Sequence, residues 1–239
     1  MTIKTASLSN CGGRSINDDT VRLHEHDGNV YVFVGDGLGG YAGGQQASQA
    51  AAEVLLKAGH RGSLLLEQQL AGAAEAADQA VRNLQRSSRG KMKTTIVFLT
   101  IEDGRAKWMH VGDSRLYHFR NGHLVSQTMD HSVSQMAVLM GEITPREIRF
   151  HEDRNRVLRA LGGDNAKPDI SPTMMLTRGQ DVFLLCTDGF WEYVYEEEME
   201  QTLQKTGEPG KWLEKMEKLI HQRAPENNDN YTAAAVFYE

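Results

Sequence analysis

The sequence predicts an α+β fold with antiparallel strands. In residues 94–128, four strand-like segments follow one another across short turns. Parallel strands need a crossover of about a dozen residues or more, so these segments can pair only as antiparallel neighbours. Earlier in the chain, residues 45–58 and 64–85 are rich in alanine, leucine, glutamine and glutamate, which favour helices. The sequence therefore predicts a meander with helices packed on it, and not a doubly wound sheet.

Residues 20–34 predict an antiparallel hairpin whose turn is the Asp-Gly pair at residue 27. The segment after the turn, residues 30–34, is entirely apolar, which is typical of a buried strand. Asp36 and Gly37 follow at its end, where the glycine gives the backbone freedom to turn.

Further elements are predicted along the rest of the chain from turn residues, caps and periodicity. They are a loop at 10–19, strands at 94–101, 106–111, 115–119 and 123–128, a helix after Asp130-His131-Ser132 that extends to Met140, a short helix from Pro145, an exposed segment at 147–155, a helical turn at 156–161, strands at 181–186 and 231–238, and an amphipathic helix at 212–223.

The composition is that of an ordinary globular protein, with 239 residues, of which 40% are hydrophobic and 24% charged. No proline- or serine-rich linker divides the chain, so we expect one domain over residues 1–239. A net charge of -6 offers no basic surface to nucleic acid or to an anionic membrane, and an excess of acids is compatible with cation binding. Because neither a signal peptide nor a membrane-spanning run is recognisable, we expect a cytoplasmic protein, and we expect a monomer.

The two cysteines, Cys11 and Cys186, lack the spacing of a metal or redox motif. Cysteine-based phosphatases place an arginine at a fixed position after the nucleophile to cradle the phosphate. The equivalent positions here hold Asn17 and Glu192, so the sequence excludes that chemistry. Cys186 lies inside an apolar run and is expected in the core.

Four aspartates occupy similar places at strand ends. Asp36, Asp188 and Asp229 each lie beside a glycine or asparagine at the end of an apolar strand, and Asp113 lies in a Gly-Asp-Ser turn. Any one of them could be an ordinary turn residue. If the strand ends meet, however, two carboxylates about 4 Å apart repel by roughly 4 kcal/mol at an effective dielectric constant of 20. Such a cluster requires protonation or a cation, and oxygen ligands select Mg²⁺ or Mn²⁺.

These aspartates belong to a longer series of motifs. In chain order the motifs are Arg14 with Asn17-Asp18-Asp19, Val34-Gly35-Asp36-Gly37-Leu38-Gly39-Gly40, Thr94-Thr95, Val111-Gly112-Asp113-Ser114-Arg115, Asp130-His131-Ser132, Gly141-Glu142-Ile143-Thr144, Asn155 with Arg159-Ala160-Leu161-Gly162, Cys186-Thr187-Asp188-Gly189-Phe190-Trp191 and Asp229-Asn230-Tyr231-Thr232. Through them the chain resembles the metal-dependent Ser/Thr protein phosphatases of the type 2C (PPM) family, especially their compact bacterial members. One motif alone is weak, whereas nine in the family's order are a specific match.

The resemblance implies a four-layer α-β-β-α sandwich with two central antiparallel sheets and with metal ions at one end. It also implies a role for each matching residue: Asp36 would bridge two metal ions, the Gly37 carbonyl would bind the first, Asp188 and Asp229 would complete the second, Asp18 and Asp19 would hold metal-bound waters, Asp113 with Asp188 would offer a third metal site, and Arg14 would clamp the substrate phosphate. Residues 132–155, with Ser132 and Gly141, would form a flap that meets the substrate protein.

The activity implied by the resemblance is hydrolysis of phosphoserine and phosphothreonine on proteins. A water activated by two Mg²⁺ or Mn²⁺ ions would attack the phosphate, with Arg14 and Asp36 as the catalytic residues and without a covalent phosphoenzyme. The partners would be a phosphorylated protein and a cognate bacterial Ser/Thr kinase.

Leu38 departs from the pattern of many eukaryotic relatives, which have a histidine there that is thought to protonate the leaving group. Leucine cannot donate a proton, so either a metal-bound water or another acid must do so. His131 is a candidate for that acid.

Two other functions fit parts of the sequence. Residues 37–42 match the G-x-G-x-x-A pattern of dinucleotide-binding oxidoreductases, but the acid expected at the end of a second parallel strand would fall in a predicted helix. The other alternative is a phosphatase-like binding scaffold without catalytic activity, although the acids and Arg14 are all present.

Overall fold

A computed structural model describes residues 2–39 and 43–239. Gly40, the last glycine of the motif that contains Asp36, lies outside the described residues, as do Tyr41 and Ala42 of the dinucleotide-like pattern. The described residues form two antiparallel sheets, each covered on its outer face by helices.

The first sheet has five strands that come from both ends of the chain and from its middle. Their spatial order is β1 (Ile3–Asn10), β13 (Tyr231–Tyr238), β12 (Asp181–Cys186), β8 (Arg115–Arg120) and β9 (His123–Gln127). β1 pairs with β13 over its whole length, from Ile3 opposite Tyr238 to Asn10 opposite Tyr231. The N-terminal and C-terminal segments of the described chain are therefore held together.

The second sheet contains the hairpin and only the first half of the predicted meander. The predicted pairing of the strands on either side of residues 112–114 is wrong, because these strands lie in different sheets. Its order is β10 (Asp169–Ile170), β7 (Arg105–Val111), β6 (Ile96–Glu102), β3 (Asn29–Gly35) and β2 (Thr20–His26), and β11 (Met174–Met175) also pairs with β7. A separate short ladder joins β4 (Gly37–Leu38) to β5 (Lys93–Thr94).

Long helices cover the outer face of each sheet. α1 (Gly43–Arg61) and α2 (Glu67–Ser88) lie on the second sheet, whereas α5 (Glu196–Leu203) and α6 (Pro209–Arg223) lie on the first. Shorter helices complete the chain: α3 (Val133–Leu139), a 3-10 helix (Pro145–Phe150) and α4 (Asp188–Trp191).

β3 shows how the layers determine the sequence of a strand. Tyr31 and Phe33 pack against α1 and α2, while Val32 and Val34 pack against the first sheet. Because both faces are buried, the strand is apolar throughout and does not alternate with polar residues. The arrangement confirms the predicted α+β fold and its four-layer α-β-β-α sandwich.

The helical turn predicted at residues 156–161 is wrong, and several elements were missed, β1, α4 and α5 among them. Residues 156–161 form no helical turn, because Leu161 exchanges backbone hydrogen bonds with Thr94 (3.1 and 2.9 Å) and Val157 bridges to Ser132. Long-range pairing thus overrides local preference. β1 was missed because it is exposed or only half-buried along its whole length, and α5 was missed because it buries only two apolar residues, Met199 and Leu203, too few for a visible helical period.

No helix within residues 2–39 and 43–239 has both the length and the apolar character needed to cross a membrane.

Asp181 at the start of β12 is fully buried and holds neighbouring segments together. Its carboxylate accepts hydrogen bonds from Nε2 of His118 (2.7 Å), from Nε of Arg120 (2.8 Å) and from the backbone N–H of Thr177 (2.6 Å). Burial by itself would raise the pKa of Asp181, but the hydrogen bonds from Arg120, Thr177 and His118 outweigh burial and lower it.

We expect Asp181→Asn to lower the free energy of unfolding by about 2–3 kcal/mol, because charged hydrogen bonds are lost in a buried place. The folded-state pKa lies below the unfolded-state value, so this stabilisation is present above about pH 4 and is lost as the pH falls through the folded-state pKa. Urea unfolding at several pH values measures the difference, with the exposed Glu214→Gln as the control. A difference that does not shrink in acid would contradict the prediction.

Candidate active site

The strand register brings several acids of the second sheet to one end of the sandwich. Thr20 at the start of β2 pairs with Gly35 at the end of β3, so Asp19 and Asp36 lie just beyond paired residues. The end of β7 lies at the same end of the sheet, because it pairs with the start of β6, which runs antiparallel to β3. Asp113 follows the last residue of β7 by two positions, so it lies at the same end of the sheet as Asp19 and Asp36.

The first sheet contributes two more acids. Asp188 follows the end of β12, and Asp229 precedes the start of β13, which pairs with β12 in antiparallel register. The backbone N–H of Thr187 donates to the carbonyl of Thr232 at 3.0 Å, and Oγ1 of Thr187 donates to Oδ2 of Asp19 at 2.9 Å. This last hydrogen bond links the two sheets at the ends where the aspartates lie.

The carboxylates are close enough to raise one another's pKa. Burial, followed by the charges of Asp188, Asp19, Asp113 and Asp229, raises the pKa of Asp36 well above its usual value. Burial and the neighbouring charges, of which that of Asp113 is the largest, also raise the pKa of Asp188 well above its usual value.

Asp19 and Asp113 are similarly affected. Burial is the main reason that the pKa of Asp19 rises to about 7, and burial followed by the charge of Asp130 raises that of Asp113 to about 7. The structure therefore brings Asp19, Asp36, Asp113, Asp188 and Asp229 into one electrostatic cluster.

Two oxygens of the cluster lack a hydrogen-bond donor. Within the described part of the chain, Oδ1 of Asp19 and Oδ1 of Asp113 are buried and have no partner. A buried polar atom without a partner is costly, and a bound cation or its coordinated water would satisfy such an oxygen. Carboxylate and carbonyl oxygens are donors that suit Mg²⁺ and Mn²⁺. The residues present thus fit a hard divalent ion.

The Thr94-Thr95 motif holds the backbone of Asp36. Its carbonyl accepts from the backbone N–H of Thr95 (2.9 Å) and from Oγ1 of Thr94 (2.8 Å), and its N–H donates to Oγ1 of Thr95 (3.0 Å). Oγ1 of Thr95 also bonds to Oγ of Ser114 (2.7 Å), next to Asp113. The Thr94-Thr95 motif therefore positions two members of the cluster.

Gly37 lies where the chain leaves no room for a side chain. A Cβ on Gly37 would stand 2.2 Å from the carbonyl oxygen of Gly44, in the first turn of α1. The backbone N–H of Gln45 in that turn donates to Oδ1 of Asp18 at 2.9 Å. Asp18 thus anchors the start of α1 with one oxygen, and burial raises its pKa.

Arg14 is at the mouth of the site and pairs with a cluster member. Its Nε and Nη2 donate to Oδ1 and Oδ2 of Asp229 at 3.2 and 3.1 Å, and both side chains are about half exposed. The two residues line a cleft of about 330 Å³ together with Asp36, Gly37 and Leu38.

Sequence reasoning missed Glu192 and Asn230. Glu192 bonds to Arg154 (3.1 Å), and burial raises its pKa while its charge raises that of Asp188. The two acids are four positions apart, a helical spacing that could have revealed the pair. The Asn230 side chain accepts a hydrogen bond from the backbone N–H of Asp18 (2.8 Å) and donates to the carbonyls of Cys11 and Ile16. These bonds fix the N-terminal loop.

Residues 132–155 start beside the cluster. Oγ of Ser132 caps α3 by accepting from Gln135 N–H (3.1 Å), and the segment turns at Gly141, whose φ is +76°. The segment exposes large apolar side chains: Met136, Leu139, Met140 and Phe150. Its base is fixed where His131 N–H donates to the carbonyl of Gly112 (2.9 Å).

The His131 side chain does not line the cleft. Its Nδ1 accepts from Gly112 N–H (3.1 Å), and its Nε2 faces Asp169 (3.1 Å). His110, His131 and Asp169 form a group whose ligand atoms lie within 4.8 Å of one another, but Nη1 of Arg159 donates to Asp169 there. A cationic side chain already neutralises this group.

The dinucleotide-binding alternative conflicts with the strand directions. β3, which precedes the glycine-rich segment, pairs antiparallel with both β2 and β6. The dinucleotide fingerprint requires a parallel βαβ unit.

The profile of the protein phosphatase 2C family matches residues 9–227. The chain belongs to this family. It is 34% identical over 196 residues to the serine/threonine protein phosphatase PstP of Mycobacterium tuberculosis, a match that covers 80% of this chain and 37% of PstP. It is 31% identical over 198 residues to the serine/threonine phosphatase stp of Listeria monocytogenes, covering 80% of this chain and 78% of that protein.

This phosphatase 2C chain therefore spans little more than a third of the length of the mycobacterial relative. Its structure resembles the crystal structure of the catalytic domain of PstP in complex with 2 manganese ions. The TM-score is 0.85 at 28% identity, and the match covers 98% of this chain and 97% of that one.

We expect the metal-free protein to lose stability as the pH rises from about 5 to about 8. Burial and mutual repulsion raise the folded-state pKa values above the unfolded ones. The stabilising protonated form is therefore present at low pH and lost as the pH rises through the folded-state values, which are about 7 for Asp19 and Asp113.

Asp36→Asn removes one of the repelling charges and should raise the melting temperature of the EDTA-treated protein by about 3 °C at about pH 8. Scanning calorimetry measures the melting temperature, and the variant Asp164→Asn, at an exposed position, is the control. If Asp36→Asn lost stability with pH as steeply as the wild type, repulsion in the cluster would not be the cause.

Proposed function

We propose that the chain is a metal-dependent protein serine/threonine phosphatase, with residues 1–239 acting as one catalytic domain. The observation that carries this proposal is the convergence of five aspartates from distant segments on one end of the sandwich, with two oxygens that lack a donor. Membership of the protein phosphatase 2C family supports it.

The proposed cofactors are two Mg²⁺ or Mn²⁺ ions, and manganese is present in the related PstP structure. Asp36 and the Gly37 carbonyl would hold one ion, and Asp36, Asp188 and Asp229 the other. Asp18 and Asp19 would act through water, and Asp113 with Asp188 would offer a third position. When bound, such ions lower the pKa of water and neutralise charge on the phosphoryl oxygens.

Arg14 would bind the phosphate of the substrate. Its planar guanidinium presents paired N–H donors that match two phosphate oxygens, as they match the two oxygens of Asp229 in the structure. Arg14 is half exposed at the mouth of the cleft, so its side chain can turn from Asp229 to an incoming phosphate.

The proton for the leaving alkoxide would come from water in the cleft. Leu38 lines the cleft and carries no proton to donate. The nitrogens of His131 contact Gly112 and Asp169 instead, so the candidacy of His131 as general acid finds no support in the geometry.

A protein substrate fits a groove that continues from the cleft. Leu38 and Gly39 line both the cleft and this larger groove, whose volume is about 610 Å³. Lys91, Lys93 and Arg156 also line it, and Lys93 stands directly opposite Leu38 in the β4–β5 ladder. With Asp164 as its one acid among the described residues, the groove thus offers net positive charge to the peptide segment on one side of the phosphorylated residue.

The phosphorylated protein and a cognate Ser/Thr kinase are the proposed partners, because the hydrolysis would reverse a kinase reaction. Residues 132–155 would act as a flap over the substrate, through the apolar side chains that the segment exposes. We also propose that the protein is cytoplasmic, because Ser/Thr kinases have ATP there, and that it is a monomer.

Hydrolysis of p-nitrophenyl phosphate tests the catalytic function. We expect activity with Mn²⁺ that EDTA abolishes, and a loss of about 10³-fold or more in Asp36→Asn, because several kcal/mol of charge stabilisation disappear. Glu214→Gln, at an exposed position of α6 away from the groove, should keep its activity. A folded wild-type protein that binds Mn²⁺ but hydrolyses neither this ester nor a phosphopeptide would instead be the non-catalytic scaffold.

The groove predicts a preference for acidic sequence around the phosphorylated residue. In the double variant Lys91→Gln/Lys93→Gln, kcat/KM for an acidic phosphothreonine peptide should fall about 5- to 30-fold, since each exposed ion pair contributes up to about 1 kcal/mol. Activity on p-nitrophenyl phosphate should stay unchanged. Lys211→Gln/Lys218→Gln, on exposed positions of α6, is the control. Equal losses on both substrates would show that the lysines do not contact the peptide.

A further inference from the structure

Three histidines outside the candidate active site meet between the edge strand β2 and the last turn of α1. His24 and His26 are two positions apart in β2, so both point to the same face of the strand. Thr20 shares that face and its Oγ1 bonds to Oγ of Ser48 in α1 at 2.8 Å, so this face is turned toward the helix. His60 lies in the last turn of α1.

The rings are in direct contact. Nε2 of His24 and Nε2 of His60 face each other as hydrogen-bond partners, and the two ring centroids are 4.2 Å apart. The ring of His26 stacks on that of His60 at 4.7 Å, and its Nε2 lies 3.4 Å from Oδ2 of Asp27. Two ring nitrogens that face each other can share one proton or one metal ion.

The local charges favour a bound cation. The C-terminal end of α1 carries the negative end of the helix dipole, and the Asp27 carboxylate adds negative charge.

We propose that His24, His26 and His60 form a second metal site, for Zn²⁺ or another transition-metal ion that prefers imidazole. In a tetrahedral site with Zn–N bonds of about 2.0–2.1 Å, ligand nitrogens are about 3.3 Å apart. Nε2 of His24 and Nε2 of His60 already face each other, whereas the ring of His26, whose centroid is 6.3 Å from that of His24, would have to turn out of its stack on His60 to reach the same ion. The oxygen donors around Asp36 suit Mg²⁺ and Mn²⁺ instead, so the two sites differ in the ions that they select.

The ion would connect two elements that also reach the acid cluster. β2 begins directly after Asp19, and the first turn of α1 donates through Gln45 N–H to Asp18. At the opposite ends of these elements, the histidine site would clamp the end of α1 to β2. Zinc would therefore stabilise the pairing of α1 with β2 without touching the candidate active site.

Thermal unfolding in saturating Mg²⁺ tests the site, because Mg²⁺ competes for the oxygen ligands and not for imidazole. Zn²⁺ at about 100 times its dissociation constant should raise the melting temperature of the wild type by about 5 °C or more. His24→Asn and His60→Asn should each lose most of this shift. His60→Cys should retain it, since a thiolate also binds zinc. His123→Asn changes a histidine that is exposed in β9, and it serves as the control.

Electron paramagnetic resonance with Cu²⁺ identifies the ligand atoms directly. We expect superhyperfine splitting from imidazole nitrogen in the wild type and in Asp36→Asn, and its loss in His24→Asn and His60→Asn. A Zn²⁺ shift that is the same in the histidine variants and the wild type, or a copper spectrum with oxygen ligands alone, would overturn the proposal. Neither readout requires phosphatase activity, so the outcome is independent of the proposed function.

Discussion

The rest of the structure depends on the convergence of like charges at one end of the sandwich. Two carboxylates about 4 Å apart repel by roughly 4 kcal/mol at an effective dielectric constant of 20, which is a large fraction of the total stability of an ordinary domain. The aspartates concerned are almost two hundred residues apart in the chain, and antiparallel register in both sheets brings them together. A fold that holds them in place is organised for cation binding at the expense of its own stability.

The acids are held by the backbone and by a buried ion pair. Arg115 follows the Asp113 turn and donates two hydrogen bonds of 2.7 Å to Asp130, and each side chain is only 2% exposed. Its guanidinium lies 3.5 Å from the centre of the Trp191 ring, and the indole N–H of Trp191 donates to the carbonyl of Asp113 at 2.9 Å. Removing either charge would leave the other buried and unpaired, which costs about 3–5 kcal/mol. This network fixes Asp113 from two sides.

Local sequence predicted what short-range physics determines. β3 is apolar because both of its faces are buried, and the pairs β6–β7 and β8–β9 are marked by their short turns, so these were predictable. The step of the chain from β7 in one sheet to β8 in the other was not, because a short turn looks the same in the sequence whether or not its two strands pair. The placement of the acids at strand ends was also visible. The path of residues 156–161 was not, because it depends on pairing with Thr94 and Ser132, which are distant in sequence. The histidine cluster shows the same limit: the spacing of His24 and His26 is local, but His60 meets them only in the folded chain.

Two arginine–aspartate pairs with the same forked geometry differ in function because they differ in burial. Arg115 and Asp130 are enclosed, so their pairing is permanent and supports the site. Arg14 and Asp229 are about half exposed, and an ion pair in water contributes only about 0–1 kcal/mol. Arg14 can therefore leave Asp229 at little cost, whereas Arg115 cannot leave Asp130. Exposure at the mouth of the cleft thus lets Arg14 exchange Asp229 for another anion, as the proposed binding of a phosphate requires.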